Sequence, residues 1–74
     1  MSNKPIFKVA INKERFINYI HSKGVSIRKL GQEIDRTEKT LRRNLNDGKM
    51  PPGTLYMIAN YLDVDVADLY SEVN

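Results

Sequence analysis

The chain contains no cysteine among its 74 residues, so neither a disulfide framework nor a thiolate metal site is available to it. Its single histidine, His21, has no nucleophile nearby at a spacing typical of a catalytic triad, and no glycine-rich phosphate loop is present. A domain of this size also leaves little room for a buried pocket beside its core. We therefore expect no enzyme, and neither a cofactor, a metal nor a small-molecule ligand.

Long apolar runs are also missing. The N-terminal stretch MSNKPIFKVAI has no continuous apolar segment of signal-peptide length, and no later segment is long enough to span a bilayer. This pattern favours a cytoplasmic protein without a membrane segment.

Basic residues are missing from the last third of the chain. All 12 Lys and Arg residues lie in residues 1–50 with five acids, a net charge of +7, whereas residues 51–74 carry four acids and no base, a net charge of −4. The overall charge of +3 therefore conceals a strongly uneven distribution. A basic end of this kind is expected where a protein meets a polyanion.

Capping residues and apolar spacing predict a helix over about residues 13–23 and a second helix that starts after Ser26. Asn12 precedes the first helix, and Gly24 follows it as a stop of the left-handed type. Three apolar residues are expected on the inner face of helix 2: Ile27, Leu30 and Ile34. Gly31 lowers helix stability by about 1 kcal/mol relative to alanine, so it indicates a close approach of another backbone.

A third helix begins near Thr37, or one or two residues earlier if Asp35 is its cap. Leu41 and Leu45, four residues apart, define its inner face. The opposite side of the helical wheel carries Lys39, Arg42, Arg43 and Asn46. Helix 3 therefore has an apolar back and a basic front.

Two more helices are predicted after the segment Pro51–Gly53, which prevents helix 3 from continuing. The fourth has an apolar stripe of Leu55, Ile58, Ala59 and Leu62. The fifth is short, with Asp65 as its cap and Val64 and Leu69 as a hydrophobic staple. No reliable strand pair is evident, so we predict an all-α fold of five helices.

The domain is expected to cover residues 12–74 and to follow an N-terminal arm over residues 1–11. Four apolar residues of the arm form a short strand or pack across the helices: Ile6, Phe7, Val9 and Ile11.

These patterns together resemble the lambda-repressor-like family of helix-turn-helix regulators, the Cro and phage-repressor (XRE-type) group. The pattern Leu55-x-x-Ile58-Ala59-x-x-Leu62-x-Val64, followed by Leu69, is similar to helices 4 and 5 of that family without a gap. Several positions differ from the usual family residues. Gly31 stands where the family usually has alanine, Asp35 where it has the turn glycine, and Ile27 where a glutamine often bonds a phosphate.

The resemblance implies that helices 2 and 3 form a DNA-binding helix-turn-helix. It places five residues at base edges: Thr37, Glu38, Lys39, Arg42 and Arg43, of which Arg42 is also able to meet a phosphate. It places six at phosphates: Ser26, Arg28, Arg36, Asn46, Gly48 and Lys49. Their chemistry is compatible, because Arg and Lys suit guanine, Glu accepts from cytosine, and a threonine methyl group packs on thymine. Glu38 has a simpler alternative role as a first-turn partner of the helix dipole.

The expected function is sequence-specific binding of double-stranded DNA by a homodimeric transcriptional regulator. The resemblance implies a repressor of the phage or mobile-element type, with helix 3 in the major groove of a palindromic operator. One alternative is a protein-binding module of the same fold, such as an antitoxin or an adaptor. An RNA-binding function is disfavoured, because helix 3 carries no stacking aromatics and the A-form major groove is too narrow for a helix.

Overall fold

Residues 8–71, the part of the chain that the computed structural model describes, form four α-helices and two very short strands. In chain order they are β1 (Val9–Ala10), α1 (Lys13–Lys23), α2 (Ile27–Ile34), α3 (Glu38–Asp47), β2 (Lys49–Met50) and α4 (Pro52–Leu62), followed by a 3₁₀ turn at Val66–Asp68. The predicted bounds of the first helix are confirmed. The arm residues Ile6 and Phe7 lie outside the described residues.

Side-chain caps set the starts of the first three helices. The side chains of Asn12 and Ser26 each accept a hydrogen bond at 3.0 Å from the backbone N–H three residues later, and Thr37 accepts one at 3.1 Å. Such caps satisfy N–H groups that have no partner inside the helix. The predicted caps of α1 and α2 are confirmed, and Thr37 rather than Asp35 caps α3.

Residues in the left-handed conformation end all four helices. Gly24 and Gly48 have φ values of 69° and 73°, where glycine meets no steric penalty. Asp35 and Asp63 adopt the same conformation with φ values of 59° and 60°, which aspartate tolerates better than most residues. The turn between α2 and α3 therefore forms without the glycine that the resemblance leads one to expect.

The prediction that the fold contains no strand pair is wrong. β1 pairs antiparallel with β2, with Val9 opposite Met50, and the Ile11 N–H donates to the Gly48 carbonyl oxygen at 3.0 Å. Each strand has only two residues, too few for an alternating pattern, and the two lie far apart in the sequence. The described end of the predicted arm is thus joined to the turn after α3.

The fifth helix is also a correction, because the structure has a single 3₁₀ turn in its place. Asp65 caps this turn as predicted, and its side chain accepts from the Ala67 N–H at 3.0 Å. Beyond the turn, the Leu69 carbonyl oxygen accepts from the Asn12 N–H at 2.9 Å, and the Ser71 N–H bonds back to the first strand. Since this backbone pairs with the N-terminal strand, it cannot continue as a helix.

The hydrophobic core lies between all four helices. Its fully buried members include Phe16, Leu30, Leu41, Met50, Leu55, Ile58 and Leu69. The predicted inner faces of helices 2, 3 and 4 are confirmed except at Ile27, which is only partly buried, as is Ile17 on α1.

Three acidic residues in the last part of the described chain have structural roles. Asp63 ends α4 and Asp65 caps the 3₁₀ turn. Asp68 Oδ2 accepts a hydrogen bond from the Tyr19 hydroxyl at 3.3 Å, which links the turn to α1. Partial desolvation and the Asp68 carboxylate raise the pKa of Tyr19 above its ordinary value.

A very close backbone approach joins α2 to the segment that leads into α3. A Cβ atom added to Gly31 would lie 2.6 Å from the Arg36 carbonyl oxygen and 3.5 Å from the Glu38 backbone nitrogen. The Arg36 N–H donates to the Gly31 carbonyl oxygen at 2.8 Å. The predicted reason for a glycine inside this helix is confirmed: there is no room for a side chain.

Gly31→Ala should destabilise the protein by about 1–3 kcal/mol, because the new methyl group meets a backbone oxygen rather than a flexible side chain. Gly53→Ala is the matched control, since Gly53 lies in the first turn of α4 with nothing within 4 Å of its Cβ position. That control should stabilise the protein by about 0.5–1 kcal/mol through helix propensity. Urea unfolding measures both variants, and equal shifts would contradict the proposed crowding at Gly31.

Candidate nucleic-acid interface

Helix α3 is buried along one side and exposed along the other. Leu41, Asn44 and Leu45 face the core. The buried Asn44 amide is not left without a partner, because its Nδ2 group donates to the Thr40 carbonyl oxygen at 3.0 Å. The exposed side carries Lys39, Arg42, Arg43 and Asn46. We call these four residues the outer face of α3.

The turn of residues 35–37 positions the start of this helix. Arg36 extends over the turn, and its Nη1 group donates to the Asp35 carbonyl oxygen at 3.0 Å. The Thr37 hydroxyl accepts from the Thr40 N–H at 3.1 Å and donates to the Thr40 hydroxyl at 2.8 Å. Both hydroxyl functions of Thr37 are therefore used within the helix start, which leaves its methyl group for an outside contact.

Two predicted base-contacting residues bind each other. Glu38 Oε2 accepts from Arg42 Nε at 2.9 Å and lies 2.8 Å from Arg42 Nη2. The two side chains are one helical turn apart and remain 40% and 63% exposed, so the pair contributes little to stability. Its main consequence is electrostatic, because Glu38 neutralises one of the three cations on the outer face.

Most of the predicted phosphate-contacting residues lie at the start of α2 or near the end of α3, and Arg36 lies in the turn between them. Ser26 and Arg28 are exposed at the start of α2, and Asn46 and Lys49 are exposed at the end of α3. Gly48 differs from them, since its N–H donates to the Leu45 carbonyl oxygen at 3.1 Å and its own carbonyl oxygen is bonded to Ile11. Gly48 therefore shapes the turn that carries Lys49, with both of its backbone groups occupied.

A second ion pair lies on the exposed side of α2. Lys29 Nζ is 3.1 Å from Glu33 Oε2, again one helical turn apart. The hydrogen bond and the charge of Glu33 raise the pKa of Lys29 above its ordinary value. Lys29 is thus already paired with a carboxylate.

Sequence reasoning missed a groove beside the outer face. It has a volume of about 560 Å³ and is lined by Lys13, Ile17, Ile27, Arg42, Arg43, Leu45 and Asn46. Its walls come from α1, the first residue of α2 and the second half of α3. Helical spacing alone assigns Ile17 and Ile27 to inner helix faces, so no sequence signal indicates the groove.

Residues 8–71 contain no group of three or more His, Asp or Glu side chains placed to hold a metal ion. None of the helices described is long and apolar enough to cross a bilayer.

Residues 15–73 match the family model of the Cro/C1-type HTH DNA-binding domain. The matched range contains α2, α3 and α4 together with most of α1. No curated protein and no solved structure matches the chain.

Glu38→Gln should release Arg42 and raise the positive potential of the outer face, so that the variant elutes from a heparin column at higher salt than the unmodified protein. Glu33→Gln is the matched control, because it makes the same charge change in the Lys29 pair on α2. Its elution should shift less. Equal shifts would show that only net charge matters. Both variants should keep their unfolding free energy within about 1 kcal/mol.

Proposed function

The chain belongs to the Cro/C1-type helix-turn-helix DNA-binding family, and we propose that it represses transcription by occupying a specific operator in double-stranded DNA. α3 enters the major groove, while α2 lies across it and braces it against the DNA backbone. Binding and occlusion suffice for this function, without chemical catalysis. The repressor role rests on the resemblance to phage and mobile-element regulators.

The observation that carries this proposal is the outer face of α3. Its long cationic side chains are solvent-exposed, whereas the leucines of the same helix are fixed in the core. A helix held in this way presents donors to base edges without having to order itself on binding, which limits the entropic cost of association. The major groove is wide enough to accept an α-helix and displays a different donor and acceptor pattern for each base pair.

Base recognition is assigned to the first two turns of α3. Lys39 and Arg43 reach guanine O6 and N7, and the Thr37 methyl group packs against a thymine methyl group. Glu38 and Arg42 act as a unit, because their mutual contact places an acceptor beside a donor. Such a pair suits a neighbouring cytosine and guanine.

Phosphate contacts hold this helix in register. Ser26 and Arg28 are assigned to one strand at the start of α2, and Asn46 and Lys49 to a phosphate near the end of α3. Arg36 reaches the backbone from the turn between the helices. Gly48 contributes through the left-handed turn that it forms rather than through its own amide. The positive charge of residues 1–50 attracts the duplex before these contacts form.

Arg43→Ala should weaken operator binding by about 1–3 kcal/mol and relax the preference at one base pair, since it removes a base contact. Lys49→Ala is the paired variant. It should lower the affinity for specific and random duplexes alike, and it should reduce the slope of log affinity against log salt concentration by about one. Titration of each variant against the two duplexes, with the operator first selected from random DNA, measures both effects. The division into base and phosphate contacts fails if the two variants lose affinity in the same pattern.

Two protomers should bind one operator. A single module of this kind offers an interface on the order of 600–1,000 Å², so a two-fold dimer on a palindrome is needed for high specificity. The half-sites should lie about one helical turn apart. Sedimentation of the protein–operator complex gives the stoichiometry, and one protomer on a specific operator would rule the dimer out.

The alternative function, a protein-binding module of the same fold, is favoured by the partly apolar groove beside Arg43. A gel shift with random duplex DNA at low salt separates the two functions. A helix-turn-helix DNA binder shows weak, salt-sensitive binding to any duplex, whereas a module that binds only protein does not shift the DNA.

A further inference from the structure

The groove between α1 and α3 combines an apolar floor with a basic rim. Ile17, Ile27 and Leu45 supply the floor, and Lys13, Arg42 and Arg43 supply the rim. Ile17 and Ile27 remain partly exposed even though the domain has a well-filled core elsewhere. Water-exposed aliphatic side chains in a concave site favour a ligand that buries them.

The apolar floor is poorly matched to a DNA backbone. Ile27 is the first residue of α2, next to the predicted phosphate contact Ser26. An isoleucine side chain has no hydrogen-bond donor, so it gives a phosphate oxygen nothing to bind at this position. The floor instead fits an aliphatic or aromatic side chain, and an acidic protein segment supplies such a side chain together with negative charge.

Negative charge on the ligand would complement the basic rim. No carboxylate lines the groove among the described residues. Within residues 8–71 the ion pairs are Lys29 with Glu33 and Arg42 with Glu38, so Lys13 and Arg43 are not neutralised there. Two uncompensated cations on either side of an apolar floor complement an acidic segment that has an apolar anchor.

We propose that this groove binds an acidic segment of a partner protein, which inserts one or two aliphatic or aromatic side chains between Ile17 and Ile27. Carboxylates of the segment pair with Lys13 and Arg43. The groove has a volume of about 560 Å³ and is open to solvent, so the interface belongs to the small, transient class.

Occupation of the groove has a consequence for the outer face of α3. Arg42 and Arg43 belong both to the groove and to the residues assigned to base contacts. A bound segment would cover them and add negative charge next to the duplex. DNA and the acidic segment therefore exclude each other, which gives the proposed repressor a means of release. The binding of the segment itself does not depend on the protein being a repressor.

The test uses two synthetic peptides in a fluorescence anisotropy titration with the full chain. In the first, Asp and Glu alternate with Leu and Phe; in the second, serine replaces every Leu and Phe, so that the charge is unchanged. The first peptide should bind at least about tenfold more tightly, as burial of one apolar side chain implies. It should also displace a fluorescent duplex. Equal affinity for the two peptides would overturn the proposal, since charge alone would then explain the attraction.

Variants locate the site. Ile27→Ala should weaken the anchored peptide about tenfold and leave random-duplex affinity within about twofold, because it removes apolar surface from the groove and adds no hydrogen-bond donor for DNA. Loss of duplex affinity together with unchanged peptide affinity would assign the groove to DNA and refute the proposal.

Lys13→Gln provides a second variant at an exposed position that leaves the core intact. It should weaken the anchored peptide more than Lys23→Gln, which removes the same charge at the far end of α1. Equal losses from these two changes would also refute the proposal. If the protein bound the peptide but no duplex, only the proposed repressor function would be contradicted, and the proposed peptide site would stand.

Discussion

The contact between the Gly31 backbone and the Arg36 carbonyl oxygen sets the spacing of α2 and α3. A Cβ atom at position 31 would lie only 2.6 Å from that oxygen, which is too close for any side chain to be accommodated. The turn then reverses through Asp35 in the left-handed conformation, and Thr37 caps α3 immediately afterwards. The orientation of α3 against α2 therefore depends mainly on backbone packing. Of the cations on its outer face, Lys39 and Arg43 have no carboxylate partner among residues 8–71.

The other end of α3 is fixed by a different device. Gly48 ends the helix and accepts a hydrogen bond from Ile11, and the next two residues pair with the N-terminal strand. Met50 is fully buried as a result. Thus the turn that carries Lys49 is held by non-local hydrogen bonds and by the core together. This arrangement limits the conformations of the turn, which would favour the proposed phosphate contact of Lys49 by lowering the entropy lost on association.

Charge on the outer face is less uniform than its residue types imply. Glu38 neutralises Arg42 locally, whereas Arg43 has no carboxylate partner among the described residues. Arg43 also borders the apolar groove that α1 completes. One side chain therefore belongs to two surfaces of different chemistry, one suited to base edges and the other to an acidic peptide. The proposed competition between DNA and an acidic segment rests on that shared position and needs no change of fold.

Sequence alone determined the features whose causes are local. Asn12, Ser26 and Gly24 delimit helices because a cap or a left-handed stop acts within a few residues, and the leucine spacing of α3 is enough to identify its buried side. Gly31 likewise indicated a close contact, though not which atom it meets. Tertiary structure decided the rest: the pairing of β1 with β2, the 3₁₀ turn in place of a fifth helix, and the groove. Each of these brings together residues that are distant in the chain, so its stability depends on how the helices pack rather than on any pattern within one segment.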